Sequence, residues 1–386
     1  MFTLLFIAVA TWRIFLFVLA YIAATAFIYS PQFPYSDVYL IPSKLPQWVW
    51  SWANFDGVHY LTIAKMGYAA QFTQAFFPIY PLLLRFIASI LPNSSLIVLG
   101  ITLSFMSFVF AIHFLYKLLR LDYPKNQVLK SIGILLCFPT SFYFAAVYTE
   151  SLFFLLVVFA LWFSRNKKWW FSGLLAALAS GTRLTGIFLF PALLWEWWLA
   201  NKKKDSIQSF SLLPTVKIIL KSPILYTAPL GLFLYMLYLH VKFGDWLYFW
   251  HAQSAFGAQR ISEGIILPLQ VIWRYFKIIT TVSYTQQNFH VAVTELISFC
   301  FAVVLLIVSH QKKVRMSYLI FSWFVILIPS LTGTLSSLPR YILLAFPIVI
   351  ILGGIKSKYI YTVIIICSII FLTFLSIEFL RGLWVA

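Results

Sequence analysis

Charge is what this sequence has least of. Only 10% of its 386 residues are charged and only ten are acidic, whereas roughly a quarter of a water-soluble domain is charged. With 62% hydrophobic residues and a mean hydropathy of +0.93, the chain is excluded from the soluble enzymes and reads as an integral membrane protein. Cysteine is scarce too. Cys137, Cys300 and Cys367 lie singly inside apolar runs, which excludes a disulfide framework and a zinc cluster. No Gly-rich nucleotide loop, zinc spacing or Ser-His-Asp pattern is present, and a soluble nucleotide-sugar domain is missing. The net charge of +18 has no soluble basic domain to carry it, so nucleic acid is not an expected partner.

What is there is a succession of apolar runs near the ~20 residues that cross a bilayer, which makes the fold all-α and polytopic rather than a barrel. Basic residues cluster in short connecting segments: Lys117 to Lys130, Arg165 to Lys168, Lys202 to Lys204 with Lys217 and Lys221, Lys312 to Arg315, and Lys356 with Lys358. Placed on the cytoplasmic side, they set the parity of the spans. Residues 4–29 form the first span. An Ala-x-Ala-like site after Ala26 would fit a signal peptide, but the run is long and lacks a basic start, so an uncleaved helix is expected. Spans follow at 95–118, 131–148 and 151–164. The stretch 169–199 crosses twice, broken at Thr182-Arg183-Leu184-Thr185-Gly186, and 223–241, 291–309, 316–333, 338–355 and 359–380 complete the set.

That makes about eleven transmembrane helices in one domain, 1–386, with the N-terminus inside and the C-terminus outside. Segment 76–92, weakened by Pro78 and Pro81, and the region near 260–285 are kept at the outer interface. Two long outer loops result, about 30–94 and 242–290, the first carrying interfacial helices. Seven of the ten acids (Asp37, Asp56, Glu150, Asp245, Glu263, Glu295, Glu378) then fall on the outer side, and Asp122, Glu196 and Asp205 on the inner one. Function is expected on the outer face.

In Trp52-Ala53-Asn54-Phe55-Asp56-Gly57-Val58-His59-Tyr60-Leu61, Asp56 and His59 are three apart and share a helix face. A carboxylate held there by Trp48, Trp50 and Trp52 at headgroup level suits a general base acting on a hydroxyl from the aqueous side. On spacing alone, a helix cap with a locally bonded histidine fits as well. Arg183 and Arg340 sit in outer turns. Arginine at membrane depth is costly and is usually paired. Its partner is either a lipid-linked phosphate, bound through bidentate hydrogen bonds, or an outer carboxylate such as Glu150. Glu150 in Tyr148-Thr149-Glu150-Ser151 reads as a turn cap, a sugar ligand or an arginine partner. His251 and Gln253 in Phe249-Trp250-His251-Ala252-Gln253 offer hydrogen bonds beside an aromatic platform or an interfacial anchor.

"FDGVHYLTIAKMGY" followed by "AFFPIYPLLLRFI" resembles the first outer loop of the GPI mannosyltransferase II family. "CFPTSFYFAAVYTESLFFLL", "ASGTRLTGIFLFP", "FGDWLYFWHAQ" and "SLPRYILLAFPIVIIL" resemble later motifs of that family, in order, over about residues 5–355. The resemblance implies a GT-C glycosyltransferase that takes mannose from a polyprenyl-phosphate carrier, with Asp56 as catalytic base. The family's Arg-Trp-Asp-Gly-x-His is here Asn54-Phe55-Asp56-Gly57-Val58-His59; aspartate, glycine and histidine remain, and the two changes bear on the acceptor. His59, Tyr60, Glu150, Arg183, His251, Gln253, Arg340 and Tyr341 are the expected substrate contacts.

The expected partners are a polyprenyl-phosphate sugar, a glycolipid or glycan acceptor, and membrane lipids. No cofactor is expected, although the outer carboxylates leave a metal open. Compact loops suggest a prokaryotic cytoplasmic membrane with the site outside; an endoplasmic reticulum membrane is the alternative. The competing functions are the same transfer with another polyprenyl-phosphate sugar and a lipid-linked sugar transporter or flippase, which would place ionisable groups near the bilayer midplane and show internal repeats.

Overall fold

A computed structural model describes residues 1–202, 212–256 and 266–385. Its described residues are helical and irregular, with no strand among them. Five helices are long and apolar enough to cross a membrane: Phe2–Ala26, Leu96–Leu119, Pro223–Phe243, Gln287–Gln311 and Lys358–Leu380. Their outward faces are bare hydrocarbon, as at Leu4, Ile7, Ile14 and Val18 of the first and Ile366, Ile370 and Phe374 of the last. So much contiguous exposed apolar surface marks a lipid-facing protein. The chain is an integral membrane protein.

Lys203 and Lys204 lie outside the described residues; among the described residues the basic segments at 117–130, 165–168, 312–315 and 356–358 gather at one end of the bundle. There Arg165 grips Asp122 through two hydrogen bonds of 2.6 and 2.9 Å, and Arg315 grips Glu196 through bonds of 2.5 and 2.6 Å. Lys130 Nζ donates to the Ile355 carbonyl at 3.2 Å, and Tyr361 Oη donates to that of Lys130. Asp122 and Glu196 thus lie at the basic end, as the charge pattern expects. Asp205, Arg260 and Glu263 lie outside the described residues.

The remaining expected spans are shorter or broken, and the breaks build the functional end. Segment 131–148 is expected as one span, but its helix, Lys125–Cys137, stops before Pro139 and gives way to a 3-10 turn at Ser141–Phe144. Segment 338–355 is likewise split into Leu338–Tyr341, a 3-10 turn at Ile342–Leu344, and Pro347–Gly353. Irregular backbone at membrane depth is tolerated only where protein satisfies its polar groups, and here it does. Thr140 Oγ1 donates to the Pro339 carbonyl at 2.8 Å, Arg13 Nη1 to that of Ala145 at 2.8 Å, and Ser151 Oγ to that of Phe144 at 2.6 Å. The two broken segments pack together through a close approach at Gly353, where a Cβ would stand 2.2 Å from Ser131 Oγ.

Segment 169–199 is two helices, Trp169–Ser180 and Leu189–Asn201, parted by the turn that carries Arg183. The stretch 76–92 contains the helix Ile79–Ile90, which is anchored by Arg85. That guanidinium donates to the Ala64 and Ile63 carbonyls at 2.7 and 2.9 Å and so closes the end of helix Asp56–Met66. Helix Pro268–Thr281, in the second loop, turns Val271 and Tyr275 inward and leaves Leu269, Trp273 and Phe276 exposed.

Candidate functional site

Asp56 begins the helix Asp56–Met66, and the backbone that delivers it is tightly constrained. Phe55 just before it has φ +55° and ψ −117°, a conformation that a residue with a Cβ holds only when its surroundings force it. Those surroundings are specific. The fully buried Asn54 amide donates to the Phe379 carbonyl at 2.9 Å, Tyr29 Oη donates to Asn54 Oδ1 at 3.2 Å, and Trp52 O accepts from Val147 N at 2.9 Å. Tyr148 Oη donates to the Asn54 carbonyl at 3.1 Å and receives the Asp56 N–H at 3.2 Å. Gly57 leaves the helix room to sit there, since a Cβ would lie 3.2 Å from Ala53 Cβ and 3.4 Å from the Val147 oxygen.

The Asp56 carboxylate bonds to arginine. Arg340 Nη1 donates to Asp56 Oδ2 at 2.6 Å, and its Nε lies 3.0 Å from Glu150 Oε1. The same Glu150 oxygen receives a short bond from Arg183 Nη1, which also donates to Thr149 Oγ1 at 3.1 Å. Two carboxylates and two guanidiniums thus form one neutral chain: Asp56, Arg340, Glu150, Arg183. Aromatic faces support the cations: Tyr143 and Tyr148 lie 5.5 Å from Arg340, and Tyr341 lies 5.3 Å from Arg183. Burial alone pushes the Asp56 carboxyl up, but the charge and hydrogen bond of Arg340, helped by His59 and Arg183, outweigh it and hold the group below the usual carboxylate range. Burial pushes the His59 imidazole down against the pull of Asp56.

This chain opens on a cavity of about 520 Å³, within the roughly 300–1,000 Å³ of small-ligand sites. Asp56, His59, Tyr60, Arg183, Gln253, Arg340 and Tyr341 all line it. His59 stacks on Phe76 at 4.7 Å and meets the edge of Phe256 at 5.4 Å, rather than bonding to a neighbouring backbone group. Tyr60 packs against Phe76 and Tyr80. Two expected contacts are placed elsewhere. Glu150 is 1% exposed and stands behind the wall between the arginines, so it shapes the site without facing it. His251 turns to Asp245, Nδ1 to Oδ2 at 2.7 Å, and is half exposed outside the cavity lining.

For Arg183 the carboxylate alternative is the one the geometry shows, and for Asp56 the partner is Arg340 rather than a backbone cap. Sequence reasoning missed Tyr143, Thr149 and Trp384. The first two stand inside a quoted motif and were readable as neighbours of Glu150; Trp384 is a lone aromatic with no motif around it. Among the described residues no group of three or more His, Cys, Asp or Glu comes together.

Comparison with known proteins bears on this arrangement. The mouse GPI alpha-1,6-mannosyltransferase 2 is 30% identical over 205 residues, covering 48% of this chain and 40% of the mouse protein. The human GPI alpha-1,6-mannosyltransferase 2 is 32% identical over 145 residues, 35% of this chain and 29% of the human one. The fission yeast Schizosaccharomyces pombe GPI mannosyltransferase 2 is 28% identical over 142 residues, 36% of this chain and 30% of its own length. The matched stretches therefore span well under half of these relatives. No solved structure matches the chain. The family described as Mannosyltransferase (PIG-V) matches residues 2–373, and with that match over nearly the whole chain, the protein belongs to this mannosyltransferase family.

Proposed function

We propose that this protein transfers mannose from a polyprenyl-phosphate-mannose donor to a hydroxyl of a glycolipid or glycan acceptor, at the outer face of its membrane. The observation that carries this reading is the chain Asp56, Arg340, Glu150, Arg183, three of whose members line one cavity. In the reaction Asp56 takes the proton of the acceptor hydroxyl, whose oxygen attacks the anomeric carbon. The bond from that carbon to the phosphate oxygen breaks on the opposite face, and the electron pair leaves with polyprenyl phosphate. Arg183 and Arg340 stabilise the charge that grows on the leaving phosphate. Asp56 then returns its proton to water.

The resting ion pair gives the two substrates an order. While Arg340 holds Asp56 at 2.6 Å, the carboxylate is a weak base. A phosphate arriving at Arg340 draws the guanidinium's hydrogen bonds toward itself and leaves Asp56 more basic once the donor is seated. The same reading takes the basic end as cytoplasmic, counts about eleven spans, with the broken segments among them, and assigns a GT-C-like architecture. It is supported by the apolar faces of the long helices and by the gathering of the basic connections at one end.

The test is mannose release from radiolabelled polyprenyl-phosphate mannose by protein in nanodiscs, with a panel of glycolipid acceptors. Asp56→Asn is expected to lose roughly 10²–10⁴-fold in kcat, the scale of a general base, while still binding the donor. Near-normal turnover in that variant would remove Asp56 from the mechanism, and donor binding without any turnover in wild type would favour a lipid-linked sugar carrier.

A further inference from the structure

One lip of the cavity joins residues inside the family match, Gln32, Phe33 and Phe55, to Trp384, which the match does not reach. The match ends at residue 373, and the segment that follows the last long helix, residues 381–385, folds back onto residues 30–35. Ser30 N donates to the Arg381 carbonyl at 2.9 Å and Gln32 N to the Gly382 carbonyl at 2.8 Å. Gly382 makes the turn with φ +86°; a Cβ there would lie 2.8 Å from Pro31 Cα. Two glutamines then fix Trp384 from both sides of its backbone. Its N–H donates to Gln32 Oε1 at 2.8 Å, its carbonyl accepts from Gln287 Nε2 at 3.3 Å, and the two amides bond each other at 2.6 and 2.8 Å.

So held, the Trp384 ring meets Phe55 edge-on at 5.5 Å, and Phe55 packs on Phe33 at 4.5 Å. All three rings line the cavity, together with Gln32, and Phe55 immediately precedes Asp56 in the chain. The lip's chemistry differs from that of the arginine wall. The arginine wall is cationic and comes from the turns at 181–183 and 338–341. The lip is uncharged: flat aromatic faces with amide groups at their edge. Arg381, in the same returning segment, is paired with Glu378 at 3.0 Å and lies over Phe27 at 5.0 Å. A neutral sugar ring needs that combination, an aromatic face for its C–H side and amides for its hydroxyls, whereas a phosphate gains nothing from it.

Resting on the transferase reading above, we propose that Trp384, with Phe33, Phe55 and Gln32, forms the subsite for a neutral acceptor sugar and positions its hydroxyl over Asp56. Of these four residues only Trp384 lies beyond the family match, so it is the one through which the chain sets its own choice of acceptor.

The experiment measures binding of two probes to the purified full chain in nanodiscs. Butyl α-D-mannopyranoside, followed by saturation-transfer NMR, reports the sugar subsite, and farnesyl phosphate, followed by isothermal titration, reports the arginine wall. Trp384→Ala is expected to weaken the glycoside about tenfold, the worth of one well-placed aromatic face, and to leave farnesyl phosphate within about twofold. Trp384→Phe, which keeps a ring in place, is expected to restore most of the glycoside affinity and guards against a variant that merely folds poorly. Unchanged glycoside affinity in Trp384→Ala overturns the subsite. So does equal loss of both probes, or failure of wild type to bind the glycoside. If the glycoside result holds but the mannose-release assay fails, the transferase reading falls and the sugar subsite stands.

Discussion

Replacing Arg340 with glutamine separates the two influences that act on Asp56. In the native site burial raises the pKa of this carboxyl and Arg340 more than reverses it. The contact is 2.6 Å from Nη1 to Oδ2, with side chains 11% and 22% exposed, which puts the charge centres about 4 Å apart. At an effective dielectric constant of about 20 such a pair is worth about 4 kcal/mol. Opposite charges at this range lower carboxyl groups by roughly one to three pH units in practice. Arg340→Gln is therefore expected to move the acid limb of the transfer rate upward. On the proposed mechanism its plateau should also fall about 10²–10³-fold, because the proposed stabiliser of the leaving phosphate is gone.

The stability profile carries the opposite sign in the two proteins. A folded-state carboxyl held below its unfolded value contributes stability above the unfolded value and loses it as pH falls through the folded one. In Arg340→Gln burial is left to dominate, so the carboxylate opposes folding at neutral pH. That opposition fades as pH falls through the raised value and is gone below the unfolded one. The assay is mannose release from radiolabelled donor across a pH series, with unfolding followed by tryptophan fluorescence in parallel. An acid limb that stays where wild type has it would refute the reasoning, since Arg340 would then not set the protonation of the group on which the rate depends.

Two further substitutions probe the support of the site. Glu150→Gln removes the charge shared by Arg183 and Arg340 and is expected to destabilise the protein by about 3–5 kcal/mol, the scale for breaking a buried pair. A denaturation midpoint equal to wild type would show that the arginines hold their places without it. Tyr275→Phe removes a hydroxyl that donates to Glu295, receives the Leu335 N–H at 2.9 Å and lies 3.0 Å from Thr334 Oγ1. The expected cost is about 1–3 kcal/mol, with a raised donor KM because the loop 331–337 leads directly to Arg340. Unchanged stability and KM would disconnect that loop from the site.

Hydropathy and charge made much of the bundle readable, because an apolar run and a basic connection are local properties. They failed where apolar residues face protein instead of lipid. Segments 131–148 and 338–355 are as hydrophobic as a membrane helix, but their interior position lets Thr140, Ser151 and Arg13 satisfy an unwound backbone, and hydropathy does not register that difference. Asp56, Arg183 and Arg340 could be picked out as ionisable residues in turns flanked by apolar helices. Their mutual pairing could not, since it depends on how those turns meet in space. His251 shows the reverse error: a plausible aromatic-rich motif supplied a candidate, and Asp245, six residues earlier, took its imidazole. Trp384 had no local pattern at all, and its place in the cavity wall follows from contacts with Gln32 and Phe55, more than three hundred positions away, and with Gln287.

Those separations bear on how the protein comes to exist. The Asp56 loop is among the first parts to leave the ribosome, but the Arg340 that pairs with its carboxylate lies 284 residues later and the Phe379 carbonyl that fixes Asn54 lies 325 residues later. Until the last long helix is inserted beside the first, the strained backbone at Phe55 lacks the Asn54–Phe379 bond, and until Arg340 is in place the carboxylate lacks its guanidinium. A nascent or prematurely stopped chain is therefore already anchored in the membrane while its site is still unassembled.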